Sequence, residues 1–81
     1  MAKRSISQSG NPNLLALGRA IRAERKRLGI AQEALALEAG LDRSYLGGIE
    51  RGEHNLTIIN IIKISKALNI RASELMELAG I

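Results

Sequence analysis

The chain has 81 residues, and its 12 basic and 8 acidic side chains give a formal net charge of +4. A chain this short supports one hydrophobic core, so a single domain is expected. The absence of cysteine excludes disulfides, thiolate zinc sites and thiol catalysis, and no apolar run approaches the roughly 18–20 residues needed to span a bilayer.

The start also lacks the apolar segment of a secretory signal, so a cytoplasmic protein is expected. The basic surplus suits nucleic acid or an acidic membrane surface as well as an ordinary solvated exterior. Leu, Ile and Ala dominate the apolar set, with no Phe or Trp and a single Tyr. That profile favours small helices packed through aliphatic side chains over a large ligand pocket.

Residues 1–12 are polar, carry Lys3 and Arg4, and show neither helical nor strand periodicity. They are read as a flexible arm. The folded domain, residues 13–81, begins where Leu14, Leu17, Ile21 and Leu28 recur at helical spacing. Arg19, Arg22, Lys26 and Arg27 take the other side, and Gly29 closes this first helix. A short second helix runs from Gln32 to Ala39, with Gly40 after its end. Asp42 can cap a third helix, which buries Leu46 and Ile49 and ends by Gly52. Glu53 to Leu56 form a loop, Thr57 caps a fourth helix reaching Leu68, and Ala72 to Leu78 make a fifth. No alternating β-branched run or hairpin signal interrupts them, so the fold class is all-α.

The segment from Gln32 to Arg51 carries the functional signal. Ala36 leaves room for a close helix crossing, and Gly40 can adopt the left-handed backbone that turns the chain. Leu35, Ala39, Leu41, Leu46 and Ile49 supply the shared apolar seam. Together they describe a helix-turn-helix, two short helices joined at a steep angle by a tight turn.

The run Gln32-Glu33-x-Leu35-Ala36, then Gly40-Leu41, Tyr45-Leu46 and Ile49-Glu50-Arg51-Gly52, resembles the Cro/C1-type (xenobiotic-response-element) family of repressors. The likeness extends over about residues 14–78. Within the family, the stretch from Gly40 to Ile58 is most similar to controller proteins of restriction–modification systems. This resemblance implies a five-helix, lambda-repressor-like domain and a dimeric regulator of its own gene and of an endonuclease gene. It implies double-stranded DNA with a palindromic operator as partner, and RNA polymerase as a second one where the regulator activates. A phage-type repressor, or an antitoxin working mainly through a protein partner, stands as the alternative.

In a helix-turn-helix the capped end of the third helix meets base edges, which nominates Arg43, Ser44 and Tyr45. Arginine's forked donors match the two acceptors of guanine. Ser44 can bond to a base or a phosphate, or help cap the helix. Tyr45 is expected against DNA because Leu46 and Ile49 already mark the buried edge. Gln32 sits beside free backbone amides able to bind a phosphate, and the resemblance implies that its side chain clamps the DNA backbone or braces a recognition residue. Arg51, His54, Asn55 and Thr57 lie where phosphate contacts are made. Controller-like sequences often carry a basic residue at position 54, so His54 is a departure.

Gly47 and Gly48 are costly inside a short helix, and close approach of DNA or of a neighbouring helix would justify them. The resemblance also implies an Arg25–Glu50 ion pair. Ala31 and Arg71 stand where caps are usual, which suggests frayed starts to the second and fifth helices. No nucleophile–base pair, phosphate loop or carboxylate pair stands out, so no enzyme, cofactor or metal is expected. Surplus aliphatics on the last two helices mark a homodimer interface, assigned to Ile58, Ile62, Leu75, Met76 and Leu78.

Overall fold

The computed structural model describes residues 10–81, which form five helices: α1 (Pro12–Arg27), α2 (Gln32–Ala39), α3 (Arg43–Glu50), α4 (Ile58–Ala67) and α5 (Ala72–Ala79). Residues 1–9 of the expected arm lie outside the described residues. The boundary itself moves: α1 starts at Pro12, and Asn11 caps it by accepting the Asn13 N–H at 2.9 Å. Proline suits this first position because its missing N–H would have had no helical partner.

All five helices end in the same way. The residue after the cap region bonds back to the last turn, and the next N–H reaches five residues back: Ile30 to Arg25, Leu41 to Ala36, Glu53 to Gly48, Ile70 to Ser65 and Ile81 to Met76. This is the Schellman pattern, in which an apolar side chain usually follows the left-handed residue. Ile30, Leu41 and Ile70 do pack onto the core. The end of α3 is the exception, since a charged Glu53 takes that place.

Helix starts differ more. Asp42 Oδ2 accepts from the N–H groups of Ser44 (3.1 Å) and Tyr45 (3.3 Å), and Thr57 Oγ1 accepts from Asn60 N–H at 3.1 Å. Ala31 offers α2 no side-chain cap. The fifth helix is not left frayed as expected: the Glu74 carboxylate accepts from the Arg71 backbone N–H at 2.9 Å. A guanidinium has no acceptor to return the bond, so the start is secured from inside the helix.

The core is built from Leu17 and Ile21 of α1, Leu35, Ala36 and Ala39 of α2, and Leu46 and Ile49 of α3. Ile61, Ile64, Leu68 and Leu75 complete it. Leu28 lies outside it, because its place beyond α1 leaves it 40% exposed. Helix α1 packs on α3 and α5, while α2 bridges α3 and α4. Gly18 makes the α1–α3 crossing possible: a Cβ there would stand 2.5 Å from the Ile49 carbonyl oxygen. Ser65 is buried yet satisfied, donating to the Ile61 carbonyl at 2.7 Å.

One assignment to the expected dimer face needs correction, and a second is only partly available. Leu75 has no exposed surface, because α5 turns it inward against the core. Met76 is half-buried and packed on the same cluster. From α4 onward, the exposed large aliphatics are Ile58 (64%), Ile59 (57%), Ile62, Leu78 and Ile81.

Candidate nucleic-acid interface

The turn between α2 and α3 is built around Gly40 at φ +71°, a conformation that costs a Cβ-bearing residue energy. It brings the N-terminus of α2 beside the body of α3. Gln32 is the first residue of α2, and its Nε2 donates to Glu50 Oε1 at 3.0 Å. Its Oε1 would lie 3.4 Å from a Cβ on Gly47, which locates the carboxamide directly over that glycine. Gln32 therefore ties the start of α2 to the end of α3 through Glu50, rather than to a residue of the first turn of α3.

Glu50 is the hub of this bracing. Arg25 Nε donates to Glu50 Oε2 at 2.8 Å and Nη2 to Oε1 at 3.1 Å. Arg25 Nη1 also donates to the Ile30 carbonyl at 2.9 Å. The two side chains retain 11% and 4% of their surface, so the pair is nearly dry. A forked guanidinium on a carboxylate gives geometric specificity as well as attraction. It ties α1 and the α1–α2 turn to the end of α3, so the recognition helix is held from both neighbours.

Arg43 and Ser44 are exposed on the first turn of α3, projecting beyond the Asp42 cap. Among the described residues, no ion pair or side-chain hydrogen bond engages Arg43.

Tyr45 is half-buried. Its ring lies 4.7 Å from the His54 imidazole, centroid to centroid, with the planes 36° apart. Its hydroxyl accepts a long hydrogen bond from Asn60 Nδ2 at 3.4 Å. Tyr45, expected against DNA, is thus partly engaged within the protein, its ring near His54 and its hydroxyl held by Asn60. Asn60 escaped sequence reasoning, which had no signal for it beyond its place one turn into α4.

The glycines of α3 serve the protein's own side chains. Gly48 faces His54, whose Cδ2 would stand 2.7 Å from an added Cβ. Gly47 faces Arg51 and Gln32. Arg51 is exposed and forked onto Glu53, Nε to Oε2 at 2.7 Å and Nη2 to Oε1 at 3.2 Å. That hydrogen-bonded pairing lowers the Glu53 carboxyl below its ordinary 4.5 and raises Arg51 above its ordinary value. Asn55 and Thr57 are exposed on the loop beyond, with the Thr57 oxygen already accepting as a cap. The arrangement is a braced helix with a bare arginine at its leading end and an Arg, His and Asn at its trailing end. No helix among the described residues is long and apolar enough to cross a membrane.

Comparison with known proteins agrees with this geometry. A helix-turn-helix family profile matches residues 21–75. The control protein C.BamHI of Bacillus amyloliquefaciens is 40% identical over 68 residues, covering 83% of this chain and 84% of that protein. The crystal structure of the restriction–modification controller protein C.AhdI of Aeromonas hydrophila superposes with a TM-score of 0.76. It is 46% identical, and the match covers 78% of this chain and 96% of that one. The controller protein C.Esp1396I, bound to a 25 base pair operator site, superposes with a TM-score of 0.76 at 36% identity, over 83% of this chain and 88% of that one. The chain belongs to the Cro/C1-type helix-turn-helix family, with restriction–modification control proteins among its relatives.

Proposed function

We propose that this chain is a sequence-specific DNA-binding regulator of the controller type. It inserts the start of α3 into the major groove and acts as a two-fold dimer on a palindromic operator. The observation that carries this reading is the Asp42-capped first turn of α3, which presents Arg43 and Ser44 outward, with Tyr45 half-buried on the same turn, from a helix locked by Arg25, Glu50 and Gln32. The function is binding rather than catalysis. Its regulated genes are its own and that of a restriction endonuclease, with RNA polymerase as a second partner where it activates. It would act in the bacterial cytoplasm at the nucleoid.

Arg43 reads a base and Tyr45 lies beside it, with Ser44 on a base or phosphate. Gln32, Arg51, Asn55, Thr57 and His54 fix the register on the DNA backbone. Such contacts position the protein while base contacts specify. Dimerisation uses Ile58 and Ile62 of α4 together with Leu78 and the exposed part of its half-buried neighbour Met76. Ile58, Ile62 and Leu78 present apolar surface that the monomer leaves uncovered. A two-fold axis would set two recognition helices about 34 Å apart, one turn of duplex.

The test is selection of duplexes from a random library by the purified chain. The expected outcome is an enriched inverted repeat with half-sites about one helical turn apart. Recovery of an unenriched pool would overturn the reading, and a single unrepeated half-site would overturn the dimer.

A further inference from the structure

The one histidine of this chain is in a place that phosphate contact alone does not account for. His54 is half-buried. Its imidazole occupies the notch left by Gly48, where a Cβ would come within 2.7 Å of Cδ2. The same ring lies 4.7 Å from Tyr45, while Asn60 holds the Tyr45 hydroxyl from the opposite helix. Three separate elements, α3, the following loop and α4, thus converge on one aromatic side chain. A tyrosine on the first turn of an exposed helix otherwise has free rotation about two side-chain bonds, and fixing it in solution before DNA arrives lowers the ordering cost of binding.

We infer that His54 is a positioning residue for Tyr45: its imidazole, seated in the Gly48 notch, fixes the tyrosine ring on the first turn of α3 and thereby sharpens base discrimination. This rests on the reading of α3 as the groove-entering helix. It departs from the role of a simple cation on phosphate, which would need neither the notch nor the stacked ring. It also gives Gly48 a reason: a glycine that costs helix stability leaves space for a side chain that orders a recognition residue.

The chain contains one Tyr and no Trp, so tyrosine emission reports this site directly. In the free protein, acrylamide should quench Tyr45 more effectively in His54→Ala than in wild type, whereas His54→Phe, which keeps a stacking ring without the ring nitrogens, should retain the protection. Titrations on a library-selected duplex and a scrambled duplex of equal composition provide the second readout. The expected result for His54→Ala is about a tenfold loss of discrimination, with His54→Phe restoring most of it and Gly48→Ala, which crowds the imidazole, reproducing the loss. Equal weakening on both duplexes for His54→Ala, unrepaired by His54→Phe, would reduce His54 to a phosphate contact and overturn the inference. Unchanged quenching in His54→Ala would overturn it as well. Tyr45→Ala separates the two levels: if it leaves discrimination intact while quenching behaves as expected, the ring is ordered by His54 but reads no base, and the assignment of Tyr45 fails with it.

Discussion

Gly18 lies directly beneath the last turn of α3, where an added Cβ would stand 2.6 Å from the Glu50 carbonyl oxygen and 2.5 Å from that of Ile49. Both obstructing atoms are backbone, so no side chain can swing away. Gly18→Ala is expected to force α1 and α3 apart and cost about 1–3 kcal/mol, the usual range for overpacking. In a domain of this size each kcal/mol lowers the melting temperature by roughly 4–8 °C. A thermal melt followed by circular dichroism checks it, and a variant melting with the wild type would show that the crossing is looser than described.

The Arg25–Glu50 pair gives an asymmetric prediction. Removing one partner leaves the other charged, nearly dry and uncompensated, which typically costs about 3–5 kcal/mol. Glu50→Ala should therefore remove an amount close to the lower end of the total stability expected of a small domain, about 5–15 kcal/mol. The double change Arg25→Met with Glu50→Leu should recover much of that loss, because replacing a buried pair by apolar side chains is often neutral. Urea titrations of the two singles and the double decide it; additive losses in the double would mean that the pair contributes little as a pair.

The helices and the turn were legible in the sequence because their signals are local. Asp42 and Thr57 are caps by chemistry, and Gly40 and Gly52 mark ends that a Cβ would strain. The Arg25–Glu50 pair was legible only through family resemblance, since 25 positions separate the partners. What escaped is set by three-dimensional approach. Nothing local distinguishes Gly18 from any other helical glycine. Nothing along the chain shows that His54 and Asn60 meet at Tyr45. Leu75 was misassigned because periodicity shows that α5 has an apolar face without showing which of its residues the core takes.

Glu53 lies where the other helix ends carry an apolar residue, and it occupies Arg51. The Arg51 guanidinium holds its carboxyl below the ordinary 4.5. A depressed carboxylate contributes stability above its unfolded value and loses it as pH falls through the folded one, so the pair persists throughout the neutral range. Because both groups are exposed, its effect on folding is small. On DNA it should matter more, since Glu53 both repels phosphate and competes for Arg51. Glu53→Gln is expected to tighten binding to random duplex and to steepen the dependence of log K on log salt by about one, the increment for one further phosphate neutralised. An unchanged slope would place Arg51 away from the backbone.

Dimerisation can be separated from folding by comparing Ile58 with Leu75. Ile58 is 64% exposed and Leu75 is fully buried. Ile58→Asp should give a folded monomer in sedimentation at micromolar concentration, with its melting curve intact apart from the dimer's mass-action contribution. Leu75→Asp should instead unfold the domain, because it places a carboxylate in the core. If Ile58→Asp sediments as the wild type does, the interface lies elsewhere, and Leu78 with Ile81 would be the next surface to charge.

Arg43 supplies the sharpest prediction about recognition. Its helix end is fixed by Asp42, whose carboxylate takes two backbone N–H groups, and by the bracing of Glu50 at the other end. Its own guanidinium is exposed and engages no side chain among the described residues. Such an arginine meets guanine N7 and O6 with two parallel donors, worth about 1–3 kcal/mol of discrimination per half-site. Arg43→Ala should lose that much on the selected operator. On scrambled duplex the loss should be far smaller, since one charge per subunit disappears while the remaining basic residues still release counterions. Arg43→Lys should recover the non-specific part but only some of the specific part, because a single ammonium lacks the planar fork. Ser44→Ala provides the internal comparison, with a smaller shift in preference expected for a lone hydroxyl. Mobility-shift titrations at one salt concentration measure all of these on both duplexes. Equal losses on the two duplexes for Arg43→Ala would make it a backbone contact, and base reading would then pass to Tyr45 and to the side chains of the loop after α3.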